Sequence, residues 1–329
     1  MENNNYNSKK LNFLTVDEDK IPEWNDQLWI NQFNVASEVK DSHLLHELRK
    51  EVFQSTVQIV GRGCYHPNEG NIVSLELNTD ITRQSKFYSE EINTHDLQGS
   101  YGTKIYAVNE DCLAYAHRIS RVEDNVSVLN MANRRTPGGG VIEGAGAQEE
   151  YLFRCSDYYR SLYQYVDWSF MYHVSRADDS YPLDRNYGGI FTPRVTVFRG
   201  LEEEGYPLLT KPWKINMIAV PALFDPRCIS FGGEIRVAPD LIEGVKNKMR
   251  TILRIAAVNG QKTLVLGAFG CGAFNNPPRH TAELFKEVIE EREFMGVFNR
   301  ICFAIKEDHN SRGEGNFKPF AEVFGTNED

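Results

Sequence analysis

A three-layer α/β fold is the class this sequence predicts: helices on both faces of a mixed central sheet, with an N-terminal, mainly helical accessory region ahead of it. Three observations predict it. Strand-like and helical apolar runs alternate through the larger, later part of the chain. Two glycine-rich loops each join a strand to a helix. Hydrophobic residues make up 41% of 329, enough for one large core or two modest ones.

In chain order, residues 1–22 are polar and rich in Asn, Lys and Asp, the composition of a poorly ordered lead. Residues 23–102 form the accessory region. Trp24, Leu28, Trp29 and Phe33 recur near helical spacing, and Leu44, Leu45, Leu48, Val52, Phe53 and Val57 do so more clearly, which predicts two helices. Ile59-Val60 and 72–75 read as short strands around a turn. Residues 103–329 carry the α/β alternation: strand 104–108, helix 112–119, strand 126–130, helix 148–165, then strands 194–198 and 215–220. Helix 240–258 follows, with Leu241, Val245, Met249, Ile252 and Ala256 on one stripe and Gly260 as its C-cap. Strand 263–269, helix 281–291 and strand 300–305 complete the domain.

Composition removes several classes of function. No run approaches the roughly 18 apolar residues of a membrane span, and the first residues lack a signal peptide's basic and apolar regions. The expectation is a soluble intracellular protein with no membrane partner, cytoplasmic by default, with a nucleus or another cell left open. Six cysteines without a CxxC pair indicate neither a zinc ribbon nor a disulfide framework. A net charge of −10 argues against broad contact with nucleic-acid phosphates, so an anionic ligand must be held locally. His43 and His46 have metal-like spacing but no third ligand, and the aspartates at 178, 179 and 184 lack a calcium-loop pattern; neither predicts a metal site.

The chemistry concentrates in the two loops. After strand 126–130, residues 131–146 contain Pro137 and five glycines before a helix starts near Gln148. The second loop, Gly270-Cys271-Gly272-Ala273-Phe274-Asn275-Asn276-Pro277-Pro278, follows strand 263–269 directly. Glycine lets backbone amides approach a ligand, and a helix N-terminus favours phosphate. Two such loops at the carboxyl ends of strands suit the two walls of a diphosphate crevice. Neither matches GxGxxG or GxxxxGK[ST], which argues against a dinucleotide fold or an NTPase. Glu149 and Glu150 are open to two readings: first-turn acids complementing the helix dipole, or acids with a chemical use beside an anion site that would otherwise repel them.

These residues together resemble a known family. Leu129-Asn130-Met131-Ala132-Asn133, Pro137-Gly138-Gly139-Gly140, Gln148-Glu149-Glu150 and the run 266–274 are similar to the bacterial or microbial type of poly(ADP-ribose) glycohydrolase, a branch of the macrodomain fold. Its signature is GGG, a spacer of about six to eight residues, then QEE; here 141–147 is a spacer of seven. The likeness runs over about residues 40 to 325, and it implies that 103–329 is a macrodomain-like catalytic domain.

The resemblance implies the following roles. Asn133 meets the ribose whose C1″ bond is broken. Gly138, Gly139, Gly140, Val141 and Ile142 wrap that ribose and its phosphate, and Gln148 positions the catalytic loop. Glu149 holds hydroxyls of the scissile linkage, and Glu150 is the catalytic acid/base. Gly270, Cys271, Gly272 and Ala273 donate N–H groups to the diphosphate, and Phe274 packs on the same ribose. The implied activity is release of ADP-ribose from poly(ADP-ribose), with no cofactor and no metal. A hydrolase of single ADP-ribosyl units on protein, or a non-catalytic ADP-ribose reader, stands as the alternative; a reader has no use for both glutamates. Poly(ADP-ribose) or ADP-ribosylated protein is the expected partner and ADP-ribose the product ligand. Asp111 stands about where a macrodomain places an acid that reads adenine, a position equally suited to a helix cap. Cys271 lies near a helix N-terminus, which lowers a thiol's pKa, but no histidine stands adjacent in sequence; it reads as a small residue that the turn accepts, with oxidation sensitivity as a secondary expectation.

Overall fold

The computed structural model describes residues 23–94, 99–307 and 313–326, so the predicted lead at 1–22 lies outside the described residues. In chain order the strands are β1 (Cys64–Tyr65), β2 (Val73–Ser74), β3 (Lys86–Tyr88), β4 (Lys104–Val108), β5 (Val126–Met131) and β6 (Gly189–Arg199). They continue with β7 (Leu208–Val220), β8 (Cys228–Phe231), β9 (Glu234–Val237), β10 (Thr263–Leu266) and β11 (Arg300–Ala304). Seven of them form one sheet in the order β3-β6-β7-β5-β10-β11-β4. The run β7-β5-β10-β11-β4 is parallel and β3 pairs antiparallel with β6, so the sheet is mixed, as predicted. No helix of the described residues is long and apolar enough to cross a membrane.

The chain divides into two compact units, and each is built around its own core. The first takes in the chain up to Ser85 with Arg135–Tyr181 and Arg194–Lys214. Its two leading helices, Asp26–Glu38 and Ser42–Arg62, are the two predicted. Each opens on a side-chain cap, Asn25 accepting from Leu28 N–H and Asp41 from Leu44 N–H. The short strand expected at Ile59-Val60 is instead the end of the second helix. Its buried face, Leu48, Val52, Phe53, Thr56, Val57, Ile59 and Val60, continues without a break until Gly63 turns left-handed at φ 75°. The strand expected at 72–75 survives as β2, paired with β1.

The predicted helix 148–165 is likewise corrected. Gln148–Cys155 is helical, but Ser156 is extended and forms an isolated bridge to Val197, after which only short helical turns follow at Tyr159–Leu162 and Tyr163–Tyr165. Tyr163, Phe153, Tyr159 and Phe53 pack ring against ring beneath these turns. Burying each such ring contributes about 1.5–3 kcal/mol.

The second unit, Lys86–Arg134, Pro182–Pro193 and Ile215 onward, holds most of the sheet. Strand alternation sorts its side chains between two faces. Ala107, Leu129, Leu264, Leu266, Ile301 and Phe303 join one cluster with the helices Pro239–Val258, Pro278–Ile289 and Phe317–Phe324. On the other face Tyr106 meets Tyr115 of helix Cys112–Ile119 through a 2.6 Å hydroxyl pair. Helices therefore cover both faces of the sheet. Gly260, at φ 68°, follows helix Pro239–Val258 at the predicted stop. The β8–β9 hairpin, β3 and helix Phe317–Phe324 have no counterpart in the sequence reading.

Candidate active site

The first unit carries the glycine turn and the glutamates. Pro137 and Gly138 are buried, and the chain then folds through successive tight turns: Gly139 N–H to Thr136 C=O, Val141 N–H to Gly138 C=O, Glu143 N–H and Ala145 N–H to Gly140 C=O. Two positive-φ residues make this possible, Gly138 at 77° and Gly139 at 53°. Space demands glycine as strongly as conformation does. A Cβ on Gly138 would lie 2.6 Å from the Phe153 ring, and one on Gly139 would lie 2.3 Å from Glu150 Oε1. The turn and the acids therefore interlock, and the spacer of seven residues is what brings the helix start back beneath the glycines.

The bonds that result are specific. Glu149 Oε1 accepts the Gly138 N–H at 3.0 Å, and Glu150 Oε1 accepts the Gly140 N–H at 2.8 Å. Both glutamates are buried, at 3% and 6% exposure. Glu150 Oε2 is buried with no hydrogen-bond partner among the described residues. Leaving a buried carboxyl oxygen unpaired costs about 1–3 kcal/mol, so this oxygen adds nothing to stability. First-turn acids that merely complement a helix dipole point to solvent; these point inward at the glycine amides. Tyr163 and Tyr181 feel the Glu149 charge, and their phenols are raised well above the usual range, first by burial and in part by that charge. Gln148 is half-buried, the first residue of its helix, and Val141 and Ile142 occupy a single helical turn, Val141–Glu143.

The second unit carries the other loop. Gly270 turns at φ 74°, and a Cβ there would meet Asn276 Nδ2 at 2.5 Å and Ala222 at 2.7 Å. Asn276, buried, staples the loop: its amide group donates to the carbonyls of Leu223, Gly270 and Phe274 at 2.8, 3.2 and 3.2 Å. Sequence reading missed Asn276, although an Asn two residues past the last loop aromatic is a recognisable turn residue. The Cys271 N–H is used internally, to Ala268 C=O at 2.9 Å. Among the described residues the amides of Gly270, Gly272, Ala273 and Phe274 donate no such bond, so they are open to an acceptor from outside. Phe274 is half-buried, edge-on to Phe224 with ring centroids 5.2 Å apart. Asn133 sits half-buried two residues past the end of β5 in this same unit.

Several sequence expectations resolve here. Burial pushes the Cys271 thiol up to about 12, the opposite of the activation that a helix N-terminus suggested. Asp111 caps helix Cys112–Ile119, its Oδ1 accepting from Leu113 and Ala114 N–H at 2.8 and 3.0 Å. Arg134 is engaged within its unit, Nη1 donating to Leu183 C=O at 3.0 Å. His43 and His46 are exposed on their helix, and Asp184 accepts the Asn186 and Tyr187 amides in a turn. Among the described residues no group of three or more His, Cys, Asp or Glu side chains is gathered to hold a metal.

A layered mixed sheet, a glycine turn clasping two buried glutamates and an amide-presenting loop define a macrodomain-like α/β protein. Residues 53–200 match the family model of the microbial-type PARG catalytic domain. Among solved structures the chain is similar to the poly(ADP-ribose) glycohydrolase of Thermomonospora curvata bound to the inhibitor ADP-HPD. There the identity is 28% over 84% of this chain and 99% of that one, with a TM-score of 0.66. The Deinococcus radiodurans enzyme in complex with ADP-ribose is 26% identical over 76% of this chain and 98% of that one, with a TM-score of 0.58. Among curated proteins none matches.

Proposed function

We propose that the protein is a poly(ADP-ribose) glycohydrolase that cleaves the ribose–ribose O-glycosidic bond and releases ADP-ribose, with Glu150 as general acid and then general base. The observation that carries this reading is the division of labour between the two Glu150 oxygens: Oε1 is fixed by the Gly140 N–H, and Oε2 is buried and unspent.

Protonated on Oε2, Glu150 gives its proton to the departing ribosyl oxygen as the C1″–O bond breaks through an oxocarbenium-like state. The carboxylate so formed takes a proton from the water that attacks C1″ and is thereby reset. Glu149, pinned by Gly138, is assigned to the hydroxyls of the scissile linkage, and Asn133 to the ribose. Gly138 to Ile142 are assigned to the turn around that ribose and its phosphate, with Gln148 placing the helix start. The amides of Gly270, Gly272 and Ala273 are assigned to the diphosphate and the Phe274 ring to the ribose. Cys271 shapes its loop, since its own N–H is already bonded within it.

The test is release of free ADP-ribose from polymer by the native protein and by E150Q. The native protein is expected to release it, E150Q to lose about 10²–10⁴-fold in kcat while keeping its affinity for ADP-ribose. A native protein that leaves polymer intact but strips single ADP-ribosyl units from protein is a mono-ADP-ribosyl hydrolase. One that binds ADP-ribose and cleaves neither is a reader.

A further inference from the structure

The glycine turn of the first unit is backed by a helix that begins ahead of the matched segment 53–200. Helix Ser42–Arg62 meets the turn at successive points. A Cβ on Gly144 would lie 2.0 Å from the His46 carbonyl oxygen, and one on Gly146 would lie 2.4 Å from Arg49 Nη1. Farther along, the Thr56 hydroxyl donates to the Arg154 carbonyl at 2.6 Å.

Between these points lies a network of two guanidinium groups and one carboxylate. Arg154 has no exposed side chain. Its Nη1 donates to the Ala145 carbonyl at 2.7 Å, its Nε to the Tyr206 hydroxyl at 2.7 Å, and its Nη2 stands 3.6 Å from Glu202 Oε2. Arg49 grips Glu202 in a fork, Nη2 to Oε1 at 2.8 Å and Nε to Oε2 at 3.1 Å, and Tyr206 donates its hydroxyl to the same carboxylate. Arg49, Glu202 and Tyr206 all fall outside residues 53–200.

The network acts on the chemistry through Ala145. Its carbonyl is taken by Arg154, and its N–H donates to Gly140 C=O at 3.0 Å. The N–H of that same Gly140 holds Glu150 Oε1. A path of hydrogen bonds thus runs from Arg49 through Glu202, Tyr206, Arg154, Ala145 and Gly140 to Glu150. A fully buried cation is expensive, and replacing such a network with apolar side chains is often neutral or better for stability, so stability alone does not account for it. A planar guanidinium does what an apolar residue cannot: it fixes a carbonyl in direction as well as distance.

We propose that Arg154, held by Glu202 and Arg49, is a positioning residue that sets the Gly140–Glu150 clasp, and that helix Ser42–Arg62 is thereby part of the catalytic apparatus. This rests on Glu150 being the acid/base. Burial would raise the Glu202 carboxyl, but the Arg49 hydrogen bond and the charges of Arg154 and Arg49 bring it down to about 2. Burial also works against the Arg154 cation, yet Tyr206, Glu202 and Glu150 itself hold it protonated.

The experiment compares native protein with R49M, E202Q and R49K on polymer. R49M and E202Q are expected to lose about tenfold to a hundredfold in kcat, the scale of a small misplacement of a reacting group. KM, and the Kd for ADP-ribose, are expected to stay within about twofold, because the proposal places the network behind the acid rather than on the ligand. R49K keeps the cation but loses the fork. It is expected to melt close to native and to recover part, not all, of the lost kcat. Amide hydrogen exchange is expected to quicken across 140–150 in R49M and E202Q and to stay native across 263–271. A native kcat per folded molecule in R49M, E202Q and R49K overturns the proposal, as does a fall in kcat matched by an equal loss of ADP-ribose affinity. If R49M and E202Q do not fold, R49K decides alone: full kcat overturns the proposal and a partial loss upholds it. A native protein that releases no ADP-ribose from polymer is a different failure, that of the Glu150 reading, which the native sample shows before any variant is made.

Discussion

In the proposed reaction Glu150 acts through one oxygen and is aimed by the other, and the turn that aims it calls for glycine. At Gly139 an added methyl would stand 2.3 Å from Glu150 Oε1 and 3.3 Å from Glu149 Oε2, on a backbone already at φ 53°. G139A is therefore expected to displace the acids rather than merely stiffen the turn. Its cost in stability is about 1–3 kcal/mol from the left-handed backbone alone, and its kcat on polymer is expected to fall about 100-fold. Steady-state kinetics on polymer with a denaturation curve checks both, and a variant with native kcat refutes the interlocking of turn and acid. Cys271 sits buried in the other loop. Burial pushes its thiol up to about 12, which disfavours the thiolate that oxidants attack at neutral pH. Peroxide at neutral pH is expected to leave both activity and the mass of the Cys271 peptide unchanged, with C271A as control. Rapid inactivation that C271A abolishes would show that the loop opens.

At the scale of elements, legibility followed the reach of the interactions. The helix Cys112–Ile119 and the strand Lys104–Val108 were readable to the residue because apolar spacing and the Asp111 cap lie within the segment itself. The glycine turn was readable because glycines followed by acids are a covalent pattern. The break after Cys155 was not. Asp157 N–H donates to Thr196 C=O at 3.1 Å, and the Thr196 N–H donates to Asp157 Oδ1 at 2.7 Å. That partner lies 39 residues onward, and nothing local announces it. Periodicity therefore ran the helix on to 165, and by the same blindness turned Ile59-Val60 into a strand. Arg49, Glu202 and Asn276 escaped notice for the same reason: their meaning lies in partners remote in the chain. Buried Asp157 also holds Arg160 at 3.0 Å, so D157A removes an acceptor from an amide and a cation together. It is expected to cost about 1–3 kcal/mol, read as a lower denaturation midpoint with unchanged kcat per folded molecule. A midpoint within experimental error of native would mean that the kink is set by Ser156 and the ring cluster instead.

The whole molecule has a charge that its proposed substrate shares. The chain carries a net −10, and poly(ADP-ribose) bears two phosphate charges in every unit. Encounter with that substrate would therefore proceed against repulsion, while the amides proposed for the diphosphate, those of Gly270, Gly272 and Ala273, act by dipoles that contribute no net charge. The two effects separate by range. Dipoles aimed at a bound phosphate act at contact and are little affected by salt, whereas net charge acts across solvent, with a screening length of about 30 Å at 0.01 M ionic strength and about 8 Å at 0.15 M. Raising ionic strength between those limits is expected to increase kcat/KM on polymer about two- to tenfold, through faster association, and to leave kcat unchanged. An enzyme that used a basic surface to gather polymer would show the reverse slope, as nucleic-acid-binding proteins do when salt displaces them. A kcat/KM that falls steadily with salt would therefore mean that a local positive field outweighs the acidic total, and that recognition of polymer begins on side chains outside the two loops.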